Sequence, residues 1–238
     1  MALTKVIGSG VQGISNSSDA TAMTIGSDEV VDFASNADFI DGRGIRLGAG
    51  NDFQLYHDGT DNHINVTGAQ TLNIQTSGNN AIVVDANGHV TKPLQPAFSA
   101  HKNGTSQSNV AKDTVVTVTF DTERFDNNAD YNTSNSTFTA PVTGKYFINV
   151  TVRLAYIDTA SDYVIIAIVT SNEAYRFIVD STDTMTGDPD YFTISHGVLA
   201  DMDANDTVDV TYYQSAGAVQ TDLIGNPEYT FFTGHLVC

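Results

Sequence analysis

The sequence predicts an all-β protein, and three observations carry that prediction. The acidic residues are 24 Asp against only 4 Glu, and the bases are 5 Lys and 5 Arg. Asp favours turns and caps, whereas Glu, Lys and Arg fill helix surfaces, so the chain lacks what an exposed helix face uses. Val, Ile, Thr, Tyr and Phe are plentiful and suit a pleated, half-buried surface. Finally, 19 Gly with many Asn and Asp supply turns at short intervals.

The first 92 residues hold four aromatics: Phe33, Phe39, Phe53 and Tyr56. Apolar side chains there fall in short alternating runs, Phe53-Gln-Leu55, Ile64-Asn-Val66, Leu72-Asn-Ile74 and Ile82-Val-Val84. Turn clusters separate them, among them Asp58-Gly59-Thr60-Asp61, Ser77-Gly78-Asn79-Asn80 and Asp85-Ala86-Asn87-Gly88. Short strands with so few large side chains bury too little apolar area to offset chain entropy alone. Residues 1–92 are therefore expected to form a thin β-rich shaft and attachment region that shares its core between chains. Lys92-Pro93-Leu94-Gln95-Pro96 follows; its two prolines predict an extended linker over 93–96.

Beyond the linker, residues 97–238 read as a head. Aromatics become denser, and strands are expected near 97–101, 114–120, 146–156, 163–170, 175–179, 191–198, 207–213 and 229–237. Asp/Asn/Gly/Ser loops separate them, as in a sandwich or jelly roll. Within the head, Phe120, Tyr131, Phe138 and Tyr146 are spaced to deliver aromatics inward from successive strands. Gly144, after Pro141-Val-Thr, permits a tight turn.

The run Phe120, Asp126, Tyr131, Phe138, Gly144-Lys-Tyr146 resembles the signature of the C1q/tumour-necrosis-factor-like globular domain. Pro96-Ala-Phe98-Ser-Ala resembles that family's first strand, Asn205-Asp206-Thr-Val208 the turn into its penultimate strand, and Phe232-Thr-Gly234-His-Leu236 its closing strand. Ile148 and Val150 stand where the family usually has aromatics. The resemblance implies a ten-stranded jelly-roll head that assembles as a homotrimer, in agreement with the shared core expected of the shaft.

The net charge of −18 excludes nucleic acid, which requires a basic footprint, and disfavours an anionic membrane surface. No run of about 18 apolar residues is present to cross a bilayer. The N-terminus lacks the apolar core of a secretory signal. No nucleophile elbow, zinc-protease motif or phosphate-binding loop occurs, and the abundant Asp residues sit where turns need them, so no catalytic residue and no cofactor are predicted. Asp201, Asp203 and Asn205 alternate like the start of a calcium loop, but Asp206 replaces its sixth-position Gly and Tyr212 its twelfth-position Glu. As a strand connection this segment needs no metal; its alternating oxygen ligands make calcium the candidate ion there.

Recognition by such a fold falls to its loops. The candidates are 157–162, 180–190 and 214–226, with Asp158, Asp162, Asp183 and Asp188 on them and Tyr191 and Tyr229 at their borders. Gly50-Asn-Asp-Phe-Gln-Leu-Tyr-His-Asp-Gly59 and Gly88-His-Val-Thr91 resemble segments of marine bacteriophage tail fibres. That resemblance implies a virion fibre or spike assembled in the bacterial host cytoplasm. Its N-terminus would dock to other virion proteins and its head would bind a host surface glycan or protein. A head or tail decoration protein without receptor, an exported bacterial adhesin and a glycan-cleaving spike are the alternatives.

Overall fold

The computed structural model describes residues 23–25, 31–33 and 36–238. It falls into two compact units, Met1–Gln70 and Thr71–Cys238. Most of the first 35 residues, the N-terminal part of the expected shaft and attachment region 1–92, lie outside the described residues.

In the first unit β1 (Met23–Ile25) pairs with β2 (Val31–Phe33). β3 (Gly44–Leu47), β4 (Phe53–His57) and β5 (Asn62–Val66) form an antiparallel meander. The register aligns Ile45 with Leu55 and Ile64, and Leu47 with Phe53 and Val66. Alternation along a strand puts these six side chains on one face. Ile45, Leu47, Leu55 and Ile64 are exposed there. The Asp-Gly turn forms as its sequence predicts. Asp58 Oδ1 accepts from the backbone N–H of Thr60 and Asp61, each at 2.8 Å, and Asp58 Oδ2 meets His63 Nε2 at 2.8 Å. These donors, the Asp61 N–H first, hold the Asp58 carboxyl well below the usual range.

The second unit opens with another meander, β6 (Leu72–Thr76), β7 (Asn79–Val84) and β8 (Val90–Thr91). Ser77 and Gly78, both at positive φ, make the tight turn between β6 and β7. Ile74 and Val90 are exposed. The proline segment is a hydrogen-bonded turn and not the extended connector expected: Gln95 N–H donates to Lys92 O at 3.0 Å. Pro93 presets the first corner of such a turn. The turn is also tied to the sandwich, since Gln95 Nε2 donates to Leu236 O and Asn128 Nδ2 to Leu94 O.

The rest is a sandwich of two antiparallel sheets. Its strands are β9 (Ala97–His101), β10 (Val116–Thr117), β11 (Thr122–Asp126), β12 (Tyr131–Asn132), β13 (Thr137–Thr139), β14 (Gly144–Ala155), β15 (Ser161–Thr170) and β16 (Ala174–Val179). After a single helical turn, α1 (Ser181–Thr184), come β17 (Tyr191–Met202), β18 (Thr207–Ala216), β19 (Asp222–Leu223) and β20 (Phe231–Leu236). One sheet runs β12-β13-β18-β15-β16 with β10 beside β18. The other runs β11-β9-β20-β14-β17 with β19 beside β14. Alternation on β14 sends Tyr146, Ile148, Val150, Val152 and Leu154 inward, all fully buried. Ile166 and Ile168 of β15 and Val208, Val210 and Tyr212 of β18 meet them from the facing sheet.

Two expected strands are shorter than predicted. The run 114–120 pairs as a strand only at Val116–Thr117, although Val118 still donates to Val210 O and both Val118 and Phe120 remain buried. The closing strand begins at Phe231, because Pro227 offers no N–H and Asn226 nucleates a turn, accepting from Tyr229 and Thr230 N–H.

Candidate functional site

The residues of the Phe120-to-Tyr146 run build the interior. Phe98 stacks on Phe138 and Tyr131, with ring centroids 4.6 and 5.0 Å apart, and meets Phe232 edge-on at 4.9 Å. Tyr146 lies 5.7 Å from Phe138. The phenols are satisfied: Tyr131 Oη donates to Phe120 O at 3.0 Å and Tyr146 Oη to Val142 O at 2.7 Å. Burial pushes both phenols up from their ordinary pKa. Asp126 Oδ2 accepts from Tyr131 N–H at 2.8 Å and shapes the turn before β12. Gly144 is not the turn residue expected. It opens β14, and a Cβ there would stand 2.6 Å from both Cys238 O and the Leu236 side chain, so glycine permits a close backbone approach.

The sandwich has two ends. Pro96 leads into β9 at the proximal end, beside Leu236 and the start of β14. β14 ends, β17 begins and β20 begins at the distal end. The loops 102–115, 156–160, 180–190 and 217–230 therefore share the distal end. All six residues expected for recognition, Asp158, Asp162, Asp183, Asp188, Tyr191 and Tyr229, lie there.

They do not all face outward. Asp158 is buried, and its carboxylate accepts from the N–H groups of Ala160 at 2.8 Å, Val219 at 2.7 Å and Ala218. Burial opposes its ionisation, but these three donors outweigh it and the carboxyl titrates below its ordinary value. Asp188 Oδ1 accepts from Thr159 Oγ1 at 2.6 Å and Thr159 N–H at 2.8 Å, which likewise lowers its pKa. Both carboxylates hold loops together, Asp158 from a buried position and Asp188 from an exposed one. Asp162 Oδ2 accepts from Ser215 Oγ at 3.1 Å, and Asp183 is exposed on α1. Replacing Asp158 by Ala strips three N–H groups of their acceptor and is expected to cost about 2–3 kcal/mol. Urea unfolding at neutral pH measures this, and an unchanged midpoint would contradict the assignment.

Tyr191 and Tyr229 converge on a residue that the sequence reading passed over. The Arg153 guanidinium carbon lies 4.1 Å from the Tyr191 ring centroid and 4.6 Å from that of Tyr229. Tyr191 is 55% exposed and Tyr229 39%. Arg153 Nε is buried with no hydrogen-bond partner among the described residues. The available signal was an arginine, one of five in the chain, set in the β-branched run of β14.

The candidate calcium residues lie at the proximal end. Asp201 Oδ1 pairs with Lys145 Nζ at 2.5 Å across β14 and β17. The turn after it is organised by Asp206, whose carboxylate accepts from Asp203 N–H at 2.8 Å, Asn172 Nδ2 at 2.6 Å and Ser171 Oγ at 3.0 Å. Asn205 takes the left-handed φ of 76°. Asp201 and Asp203 also line an acidic cavity of about 470 Å³ with Glu173 and Tyr175. No group of three His, Cys, Asp or Glu side chains suited to a metal occurs among the described residues.

On the outward face of the β9-containing sheet, Phe147 opposes Leu199, and the Phe147 ring lies 5.8 Å from His235. Phe147 and Leu199 are both exposed. On the inward side of the same sheet His196 is half-buried, stacks on Phe177 at 5.9 Å and has no partner for Nε2. Burial lowers its pKa from 6.5. The native state therefore favours neutral imidazole, so full stability is present above the unfolded pKa. It is lost as pH falls below about 6.5, where the unfolded chain takes up the proton first. His196→Gln is expected to flatten this part of the melting-temperature profile, and parallel profiles for the two proteins would refute the role.

A family model for the C1q domain matches residues 97–237. No curated protein matches. Among solved structures, the chain is similar to the globular domain of zebrafish complement 1qA protein, at 19% identity over 60% of this chain and 98% of that one, with a TM-score of 0.44. It is also similar to murine APRIL, at 13% identity over 60% and 99%, TM-score 0.42. Eiger TNF from S. frugiperda matches at 15% identity over 60% and 94%, TM-score 0.42.

Proposed function

This chain belongs to the C1q domain family through residues 97–237, and on that premise we propose that it is a homotrimeric bacteriophage fibre or spike protein whose head binds the host surface. The observation that carries the reading is the surplus of exposed apolar side chains on regular sheet faces. Ile45, Leu47, Leu55 and Ile64 line one side of the first meander, and Phe147 with Leu199 stand on the outward face of the head's β9-containing sheet. Three-stranded sheets with one uncovered apolar face are marginal alone, and contact between copies removes that face from water. The distal loops then stand three to a particle, and weak sites gain avidity by repetition.

In this reading residues 1–92 form the shaft and dock to other virion proteins, and the particle is assembled in the host cytoplasm. Resemblance of the 50–59 and 88–91 segments to phage tail-fibre text supports it, as does the high negative charge, which favours solubility. Light scattering of the full chain is expected to give about 76 kDa, three times the 25.4 kDa chain. A mass near the single-chain value would overturn the trimer. Fluorescently labelled protein is expected to adsorb to cells of the bacterial host. Trimers that adsorb to no host cell would favour a decoration protein, and release of reducing sugars from host glycan would replace binding by catalysis.

A further inference from the structure

We propose that the Tyr191–Arg153–Tyr229 stack at the distal end is a binding subsite for the carboxylate of an acidic sugar. The inference deepens the host-binding reading and rests on it. Arg153 projects from β14 between the first residue of β17 and the turn before β20, so three separate segments build the stack. The guanidinium carbon lies over both tyrosine rings, 4.1 and 4.6 Å from their centroids. Contact with the rings attracts the cation but leaves its N–H groups in need of acceptors in the guanidinium plane.

No acceptor is supplied by the described residues. The Arg153 guanidinium takes part in no ion pair or hydrogen bond among the described residues. Acidic residues outnumber basic ones 28 to 10, so a guanidinium without an ion-pair partner among the described residues stands out. A planar carboxylate fits the guanidinium edge by two parallel hydrogen bonds. The exposed parts of the two tyrosines add apolar ring surface and a hydroxyl each, which suits the C–H face of a pyranose. Both requirements are met by a uronic or sialic acid. A neutral sugar leaves the guanidinium edge unpaired, and a free inorganic anion leaves the rings unused.

The test is a glycan array bearing glucuronate-, galacturonate- and sialate-terminated oligosaccharides beside their neutral counterparts, probed with the intact labelled protein. At least one acidic glycan is expected to bind about tenfold or more above its neutral partner, with Arg153→Gln abolishing the difference and Arg153→Lys restoring only part of it. Equal binding of neutral and acidic glycans, or no acidic glycan bound, overturns the subsite. So does displacement by inorganic sulfate as effective as by free glucuronate. A loss of trimer mass in Arg153→Gln also overturns it, because the acceptor would then be a carboxylate of a neighbouring copy. Host-cell adsorption run in parallel separates the two levels: undiminished adsorption by Arg153→Gln defeats the subsite and leaves the host-binding function standing.

Discussion

Phe138→Ala is expected to lower the unfolding free energy by about 3–5 kcal/mol, the range for truncating a fully buried phenylalanine. The ring is inaccessible to solvent and reaches from β13 onto two strands of the facing sheet, stacking on Phe98 of β9 and approaching Tyr146 of β14. Neighbours from different strands cannot collapse together into the void, so the cavity persists and its cost adds to the lost transfer energy. Chemical denaturation reads the change as a shifted midpoint at constant slope. A midpoint unmoved by the substitution would remove Phe138 from the core.

Gly234→Val should be nearly as damaging, at about 3 kcal/mol, the upper part of the range for overpacking a tight interior. Gly234 sits on β20 between β9 and β14 and faces inward, opposite Phe98 on one side and Ile148 on the other. A Cβ at this position would stand 2.6 Å from the Phe98 ring and 2.7 Å from Ile148 Cδ1. Both neighbours are fixed in the core, so the backbone of the central strand must move. Pairing the change with Phe98→Leu frees space and is expected to recover part of the loss. A double variant no more stable than Gly234→Val would locate the strain elsewhere.

The extent to which the structure was legible follows from the range of each signal. The aromatic spacing from Phe120 to Tyr146 is a local property of size and alternation, and it identified the interior. The Asp-Gly turn at 58–59 was legible for the same reason. The prolines at 93 and 96 were misread because their preference for extended backbone competes with the turn that Pro93 also favours, and contacts from Gln95 and Asn128 to distant residues decided the matter. Tyr229 was assigned to a strand although Asn226-Pro227 marks a turn. Asp158 looked like an exposed loop carboxylate, and nothing nearby in sequence shows that Ala218 and Val219 close over it. Lys102 is a similar case. It is fully buried, with its ammonium donating to Thr119 Oγ1 at 2.6 Å and Gln107 Oε1 at 3.2 Å, and burial lowers its pKa. The Arg153 stack joins three segments far apart in the chain, so only the fold could reveal it.

The position of β20 governs when the protein can fold. Its six residues fill the middle of a sheet between β9 and β14, yet they leave the ribosome after every other strand of the sandwich. Until they arrive, β9 and β14 present unpaired edges, and the largest loop in the domain is still open. Pairings so distant in sequence make for slow folding, and exposed edges invite association between unfinished chains. The sandwich is thus completed only after residue 236 has been made, and ribosome-held chains of this protein would be exposed to aggregation for most of their synthesis.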